Sequence, residues 1–201
     1  MTFDNGVMLM IAVAPFALAM SLSPGPNNIM IAAIASRYGA WRTTPYLLGT
    51  LVGLTALMLA LGLGLGEIFV RWPTAHAWLK MLGVAYLLWL AWRIATTPLN
   101  TREGEQRPLG FGTAVLFQWL NPKAWVMTLG AFSIFTSVGG EVFAETLIIT
   151  LTFALAFVPA VLLWTAIGLT ARQLLKSNKA IRGFNIAMGV LIAISAATVF
   201  L

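Results

Sequence analysis

Long apolar stretches occupy most of the chain and are separated by short polar segments. A helix needs about 20 apolar residues to cross the hydrocarbon core of a bilayer, and each stretch is long enough to do so. Backbone groups in lipid must be hydrogen-bonded within the segment, and the short alternating segments of a barrel are absent, so we predict an all-α polytopic membrane protein. The six predicted spans, numbered in chain order, cover roughly 7–36, 45–66, 77–97, 111–136, 143–170 and 183–201.

The composition also identifies the lipid bilayer as the solvent of this chain. Hydrophobic residues make up 60% of the 201 residues, and charged residues make up only 9%. We therefore predict a single transmembrane domain over residues 1–201, with no second soluble domain. The chain has no cysteine, which excludes disulfides, thiolate metal sites and thiol redox chemistry. Its basic residues form no stripe, so nucleic acid is not an expected partner, and no cofactor is predicted.

The distribution of lysine and arginine predicts the orientation of the spans. If both termini share one side with the second and fourth loops, that side carries only Arg71 and Lys80. Cytoplasmic loops are enriched in Lys and Arg, so we predict that both termini lie outside and that the loops near 37–44, 98–110 and 171–182 lie inside. The nine basic residues of the predicted inner side are Arg37, Arg42, Arg93, Arg102, Arg107, Arg172, Lys176, Lys179 and Arg182.

Several tryptophans and the single histidine lie towards the predicted span ends. Amphipathic rings favour the headgroup level of a bilayer, so we interpret these tryptophans as interfacial anchors. His76 lies in a predicted outer loop, and a lone interfacial histidine predicts neither a metal site nor a coupling site. The five tryptophans are Trp41, Trp72, Trp78, Trp92 and Trp164.

Span 1 contains an interruption, Ser23-Pro24-Gly25-Pro26-Asn27-Asn28. Each proline removes a backbone N–H and clashes with the preceding turn, and the glycine loosens the backbone further. We predict that the helix breaks there. Carbonyl groups freed at membrane depth are tolerated only where they are buried in protein or line a polar cavity.

Span 4 contains a second interruption, Gln118-Trp119-Leu120-Asn121-Pro122-Lys123. A shift of 98 positions places Ser23-Pro24 over Asn121-Pro122. Three spans per half make the two halves begin on opposite sides of the membrane. We therefore predict two inverted repeats, over about 1–97 and 111–201, joined by a cytoplasmic loop over about 98–110. The alternative is that each proline only kinks its helix, because proline and glycine are common in membrane helices.

Lys123 is the charged residue placed deepest in a predicted span. It lies about 12 residues, or some 18 Å, from either end of span 4, so its side chain cannot extend to water. Ionisable residues at this depth normally face a cavity or a partner, which makes Lys123 a candidate for coupling. The alternative is a structural lysine held by the carbonyl groups of the broken helices.

The interruptions predict a substrate site. A half-helix N-terminus has unpaired N–H groups and a positive dipole end, which favour a carboxylate, and Lys123 reinforces that preference. The neighbouring amides offer donors and acceptors to a zwitterionic amino acid, while no acidic cage exists for a metal cation. The predicted substrate-binding residues are Pro24, Gly25, Pro26, Asn27, Asn28, Gln118, Asn121, Pro122 and Lys123.

Span 2 carries glycines at positions 49 and 53 and again at 62 and 66. Small residues four apart allow helices to approach closely. The spacing is compatible with packing inside the protomer, with a dimer face or with a gating surface.

Three motifs in chain order resemble the LysE/RhtB family of amino-acid exporters. They are Ser23-Pro24-Gly25-Pro26-Asn27, then Gly83-Val84-Ala85-Tyr86-Leu87 with Trp89 and Ala91, then Gln118-Trp119-Leu120-Asn121-Pro122-Lys123-Ala124. Pro-Gly-Pro-Asn-Asn and the tract from Trp89 to Thr96 resemble the branch that exports cysteine and O-acetylserine.

The resemblance implies proton-driven efflux of small amino acids across the bacterial inner membrane into the periplasm, and a possible homodimer. Both termini would then be periplasmic. Metal-cation export and a channel remain alternatives. An enzyme is not expected, because no His-Glu-x-x-His helix is present and the sole histidine cannot supply a Ser-His pair at span depth.

Overall fold

The computed structural model describes residues 2–65, 73–96, 108–137, 141–174 and 177–197. All regular structure within these ranges is helical, so the predicted all-α class is confirmed for the described residues. The helices are α1 Phe3–Leu22, α2 Pro26–Tyr38, α3 Ala40–Ala60, α4 Pro73–Ala95, α5 Phe111–Leu120, α6 Pro122–Phe135, α7 Val142–Leu174 and α8 Asn178–Ala197.

Among the described residues, three helices are long and apolar enough to cross a membrane: Asp4–Leu22, Ala40–Gly64 and Val142–Leu174. Met81–Ala95 and Phe111–Leu120 are shorter apolar helices. The outer surface carries many large apolar side chains, and Ile11, Val126 and Leu162 are each about two-thirds exposed. Such a surface is typical of a protein that faces lipid, while the count of six spans stays a prediction.

Four close helix pairings organise the described part of the bundle. The consecutive helices α1 and α2 both pack along α7, α3 packs against α5, and α4 packs against α8. Phe16 meets Phe153 at a ring-centroid distance of 6.2 Å, and Ala35 lies beside Gly168. The pair formed by α1 and α2 therefore runs in the same direction as α7.

Glycines on α3 lie at these helix contacts. A Cβ atom added to Gly53 would lie 2.9 Å from the Cα of Val115, and one added to Gly49 would lie 2.8 Å from the Cβ of Ala114. Packing inside the protomer therefore accounts for this pair. Gly62 belongs to the short π-helical segment Leu61–Leu65 that follows α3, and it faces the side chain of Thr146. Gly66 lies outside the described residues.

Two apolar clusters form the core. The first apolar cluster comprises Val13, Ala17, Leu54, Leu57, Met58, Leu61, Ala124, Trp125, Met127, Ala131, Ile149, Phe153 and Ala156. The second apolar cluster comprises Ile29, Met30, Ile31, Ile34, Tyr46, Leu87, Leu90, Ala91, Ala114, Phe117, Phe157 and Ile192. Residues of α1 and α6 belong to the first cluster, and residues of α2 and α5 belong to the second. The breaks between α1 and α2 and between α5 and α6 therefore lie where the two clusters meet.

Some sequence predictions fall on residues that the structure does not describe. Arg71, Trp72, Arg102, Arg107 and Lys176 lie outside the described ranges, as do the side chains of His76 and Lys80. The predictions made for them stay predictions.

Candidate substrate-binding site

The first interruption separates α1 from α2. The backbone at Ser23 (φ −60°, ψ 145°) and Gly25 (φ −173°, ψ 169°) is extended, and Pro26 occupies the first position of α2. Gly25 is the N-cap and has no side chain to accept from the first N–H groups of α2. The first helical hydrogen bond runs from the Ile29 N–H to the Gly25 carbonyl, at 3.0 Å. The start of α2 is therefore an uncapped, positively polarised helix end.

The second interruption consists of Asn121 alone, between α5 and α6. Its backbone is extended (φ −87°, ψ 108°), and Pro122 occupies the first position of α6. The Asn121 Oδ1 accepts from the Lys123 N–H at 3.1 Å, and its carbonyl accepts from the Ala124 N–H at 3.0 Å. Both predicted helix breaks are thus present, and the second is capped by its own side chain.

The two interruptions meet through Lys123. Its ammonium donates to the Ser23 carbonyl and to the Ser23 Oγ, each at 2.7 Å, and to the Pro24 carbonyl at 3.3 Å. These contacts match the alternative in which freed carbonyl groups hold the lysine. Gly25 makes room for it, because a Cβ atom there would lie 2.6 Å from the Lys123 Cδ.

Asn27 joins three helices. Its Oδ1 accepts from the Gln118 Nε2 at 3.0 Å, from the Thr50 Oγ1 at 3.2 Å and from the Tyr46 hydroxyl at 3.4 Å. All four residues are buried. The sequence prediction included Asn27 and Gln118 but missed Tyr46 and Thr50. Their spacing of four residues on an apolar helix was a signal that could have identified them.

Asn28 satisfies the carbonyl groups at the end of α1. Its Nδ2 donates to the Ser21 carbonyl at 2.7 Å and to the Ser23 carbonyl at 2.9 Å. A buried carbonyl without a donor is costly, so these bonds stabilise the interruption. Asn28 thus supports the shape of the site as well as lining it.

Indole N–H groups satisfy carbonyls next to both interruptions. The Trp164 Nε1 donates to the Leu22 carbonyl at 3.2 Å, and the Trp125 Nε1 donates to the Trp119 carbonyl at 2.8 Å. The Trp164 indole thus has a hydrogen-bonding role at the helix break, while its position as an interfacial anchor stays a prediction. Trp41, which is 88% exposed, keeps the outward position expected of an anchor.

A cavity of about 40 Å³ with polar and apolar lining residues lies where the interruptions meet. This volume holds roughly two or three water molecules. Apolar side chains also line it, with Leu54, Ala124 and Met127 from the first apolar cluster and Phe157 from the second. Its polar lining consists of Ser21, Asn27, Asn28, Thr50, Gln118, Asn121 and Lys123, together with the backbone of Gly25.

Six of the nine predicted binding residues line this cavity: Gly25, Asn27, Asn28, Gln118, Asn121 and Lys123. Pro24, Pro26 and Pro122 do not line it, and they act by shaping the backbone. No acidic side chain is among the described lining residues. Within the described ranges, no group of three or more His, Cys, Asp or Glu side chains is placed to hold a metal ion.

Comparisons with known proteins add a family context. The family model described as LysE type translocator matches residues 18–201. A cysteine/O-acetylserine efflux protein of Shigella flexneri is 26% identical over 194 residues, which cover 96% of this chain and 98% of that protein. The Salmonella typhimurium protein of the same name is 33% identical over 129 residues, or 64% of this chain, and the match spans 66% of its length. No solved structure matches the chain.

Proposed function

Because the chain belongs to the LysE type translocator family, we propose that it exports small neutral amino acids or their derivatives from the cytoplasm to the periplasm. Membership of this family makes the chain a membrane transporter and not an enzyme. The observation that carries the proposal is the meeting of two broken helices around a cavity whose described lining contains a lysine and no acidic group. Relatives that match nearly the whole chain are named for efflux of cysteine and O-acetylserine.

The substrate carboxylate binds between the uncapped N-terminus of α2 and Lys123. Helix N-termini attract anions through their unpaired N–H groups. Of the three acceptors of the Lys123 ammonium, the Pro24 carbonyl is the most distant, at 3.3 Å. A carboxylate oxygen can take its place and form a shorter, charge-assisted hydrogen bond. The amides of Asn27 and Gln118 then provide neutral partners for the rest of the substrate.

Transport proceeds by alternating access. The cavity of about 40 Å³ is too small for an amino acid, so the site must widen before it can hold the substrate. Separation of one apolar cluster opens the cavity to one side, while the other cluster keeps it closed to the opposite side. The widening takes place around the lining side chains of Leu54, Met127 and Phe157.

The helix pairings support an inverted repeat within one transmembrane domain. Exchange of the halves 1–97 and 111–201 turns the packing of α1 on α7 into the packing of α5 on α3. The exchange is only approximate, because α2 packs along α7 much more extensively than α6 packs on α3. Under the same exchange α4 and α8 change places, so their pairing is unchanged. We infer six spans in the bacterial inner membrane, with both termini periplasmic and the loop 98–110 cytoplasmic. The homodimer implied by the family resemblance stays a prediction.

Proton coupling is the second part of the proposal, with Lys123 as the coupling residue. Its ammonium is bound to neutral acceptors at the centre of the protein, and no described acidic side chain lines the same cavity. Loss of the proton there would leave two N–H donors for three acceptors and would remove the charge that strengthens these hydrogen bonds, so the contact with Ser23 and Pro24 would weaken. The protonation of one residue would thus be linked to the contact between the two interruptions.

Uptake into inside-out membrane vesicles tests the proposal. Vesicles that contain the protein should accumulate labelled O-acetylserine or serine in a saturable way, and vesicles without it should not. Accumulation should require an imposed pH gradient and should collapse with a protonophore. Flux that rises linearly with concentration would instead support a channel. Selective accumulation of lysine or divalent cadmium would refute the inference of a small neutral substrate.

A further inference from the structure

Two hydroxyl groups of α3 donate to one oxygen atom at the central cavity. The Thr50 Oγ1 and the Tyr46 hydroxyl donate to the Asn27 Oδ1 at 3.2 Å and 3.4 Å, and the Gln118 Nε2 donates to it at 3.0 Å. Tyr46 and Thr50 are buried, and among the described residues the Asn27 Oδ1 is the acceptor of both hydroxyls. This oxygen therefore collects three donors from two helices.

These donors fix the orientation of the Asn27 amide. Only the oxygen of an amide accepts hydrogen bonds, and only its nitrogen donates them. If the Asn27 amide were turned by 180°, its nitrogen would face all three partners, and the protons of the two buried hydroxyls would lose their acceptor. A buried donor without an acceptor is costly, so the Asn27 oxygen stays directed at Tyr46, Thr50 and Gln118.

The orientation of Asn27 determines that of Gln118. Because the Gln118 side chain meets an oxygen atom, it presents its Nε2, and its Oε1 remains for another donor. The stem of Gln118 lies close to α3, where a Cβ atom added to Gly53 would lie 3.1 Å from the Gln118 Cγ. The terminal amide can still turn, because rotation about its last bond has a broad, two-fold profile. The hydrogen bond to Asn27 therefore selects between the two orientations.

The Gln118 Oε1 is suited to a positively charged donor. Gln118 lines the central cavity and is buried, and no described residue donates to its Oε1. The described lining contains no acidic side chain, so neutral oxygen atoms are the acceptors that this lining offers to an ammonium group. The α-ammonium group of an amino acid is a donor of this kind.

We propose that Tyr46 and Thr50 are positioning residues that direct the Gln118 Oε1 at the α-ammonium group of the substrate. This inference rests on the proposed export function. The two hydroxyls hold the Asn27 amide, and the Asn27 oxygen holds the Gln118 amide. Without the hydroxyls both amides can turn together, and the Gln118 Nε2 then faces the ammonium group as a second donor. The site loses its preference for an ammonium over a hydroxyl group, because a hydroxyl accepts as well as donates.

Competition between serine and glycerate tests this inference. Glycerate carries a hydroxyl group in place of the α-ammonium group of serine. Each compound competes with labelled O-acetylserine for uptake into inside-out vesicles, and the ratio of the two inhibition constants is measured. In the double variant Tyr46→Phe, Thr50→Val, the preference for serine should fall by about tenfold. Thr50→Val alone should have a larger effect than Tyr46→Phe, because the Thr50 bond is the shorter one.

Two further variants separate the hydroxyl from side-chain packing. Thr50→Ser keeps a hydroxyl and should keep the wild-type ratio. Thr43→Val is the matched control, because Thr43 is a buried threonine of the same helix whose hydroxyl donates to the Gly39 carbonyl. It should also leave the ratio unchanged.

An unchanged ratio in Thr50→Val and in the double variant would overturn the inference. An equal loss of preference in Thr50→Ser and Thr50→Val would overturn it as well, since the effect would then not follow the hydroxyl. If the double variant does not fold, the comparison of Thr50→Val with Thr50→Ser decides the question by itself. Absence of O-acetylserine uptake by the wild type would instead contradict the proposed function.

Discussion

The two helix interruptions perform the same task with different chemistry. Both end a helix within an apolar bundle, place a proline at the first position of the next helix and use an indole N–H to satisfy a carbonyl. The first has a glycine N-cap and takes donors from Asn28 and Lys123. The second caps itself through Asn121 and extends Lys123 to the first. We therefore expect the first interruption to contact the substrate directly, and the second to hold Lys123 in position against the first.

Replacement of Lys123 should have the largest effect, because it removes the link between the interruptions. Lys123→Met leaves three acceptors of Ser23 and Pro24 without this donor. We expect transport to fall by at least about 100-fold. Lys123→Arg keeps the charge and should retain measurable transport. Initial uptake rates, normalised to protein in the vesicles, provide the measurement, and normal transport by Lys123→Met would refute the coupling role.

Gly25→Ala should have the next largest effect, because it acts on the same link from the opposite side. The new Cβ atom would lie 2.6 Å from the Lys123 Cδ and 3.0 Å from its Nζ, so the lysine must move. We expect a decrease in uptake of about tenfold, with the protein still folded. Gly112→Ala is the control, because a Cβ atom at that position meets nothing within 4 Å. Equal rates for the two variants would contradict a tight fit of Lys123 against Gly25.

Asn121→Ala tests whether the second interruption is mainly a support. Loss of the N-cap should lower the free energy of unfolding by about 1 kcal/mol and reduce uptake only several-fold. Asn121→Ser should recover most of the stability, because serine also caps helices well. Thermal unfolding in detergent, together with uptake, checks both effects. Complete loss of uptake at normal stability would show that Asn121 binds substrate directly.

The smallest effects should come from the two indole donors. Trp125→Phe and Trp164→Phe each remove one hydrogen bond to a carbonyl, which should cost about 1 kcal/mol. The Trp125 bond is the shorter, at 2.8 Å against 3.2 Å, so its loss should lower the unfolding temperature more. Trp41→Phe, at an exposed site, serves as the control. The opposite order would mean that the first interruption depends more on its indole.

The sequence predicts the helical class and both interruptions, because apolar length and the backbone limits of proline act locally. It also predicts that Lys123 lies deep in a span, because the apolar sequence on either side of it is long. The attachment of Lys123 to Ser23 joins residues 100 positions apart, and the Thr50 bond to Asn27 joins residues 23 apart. These contacts depend on helix packing, which the pattern of apolar residues does not specify.

Trp164 shows that the position of a residue in a span leaves its hydrogen-bond partner undetermined. Its place towards the end of a predicted span suggests contact with headgroups, but α7 continues for ten residues beyond it. The packing of α7 along α1 and α2 brings its indole to the Leu22 carbonyl. The sequence around Trp164 does not predict this hydrogen bond, because the carbonyl that accepts it belongs to another helix.

The acceptors of Lys123 have a genetic consequence. Two of the three described acceptors are main-chain carbonyls, which no codon change can relocate or recharge. A reciprocal charge swap can rescue a broken ion pair between two side chains. It cannot rescue a substitution of Lys123, because these acceptors are not side chains. Revertants of a Lys123 substitution should restore lysine itself or reshape the peptide chain around Gly25.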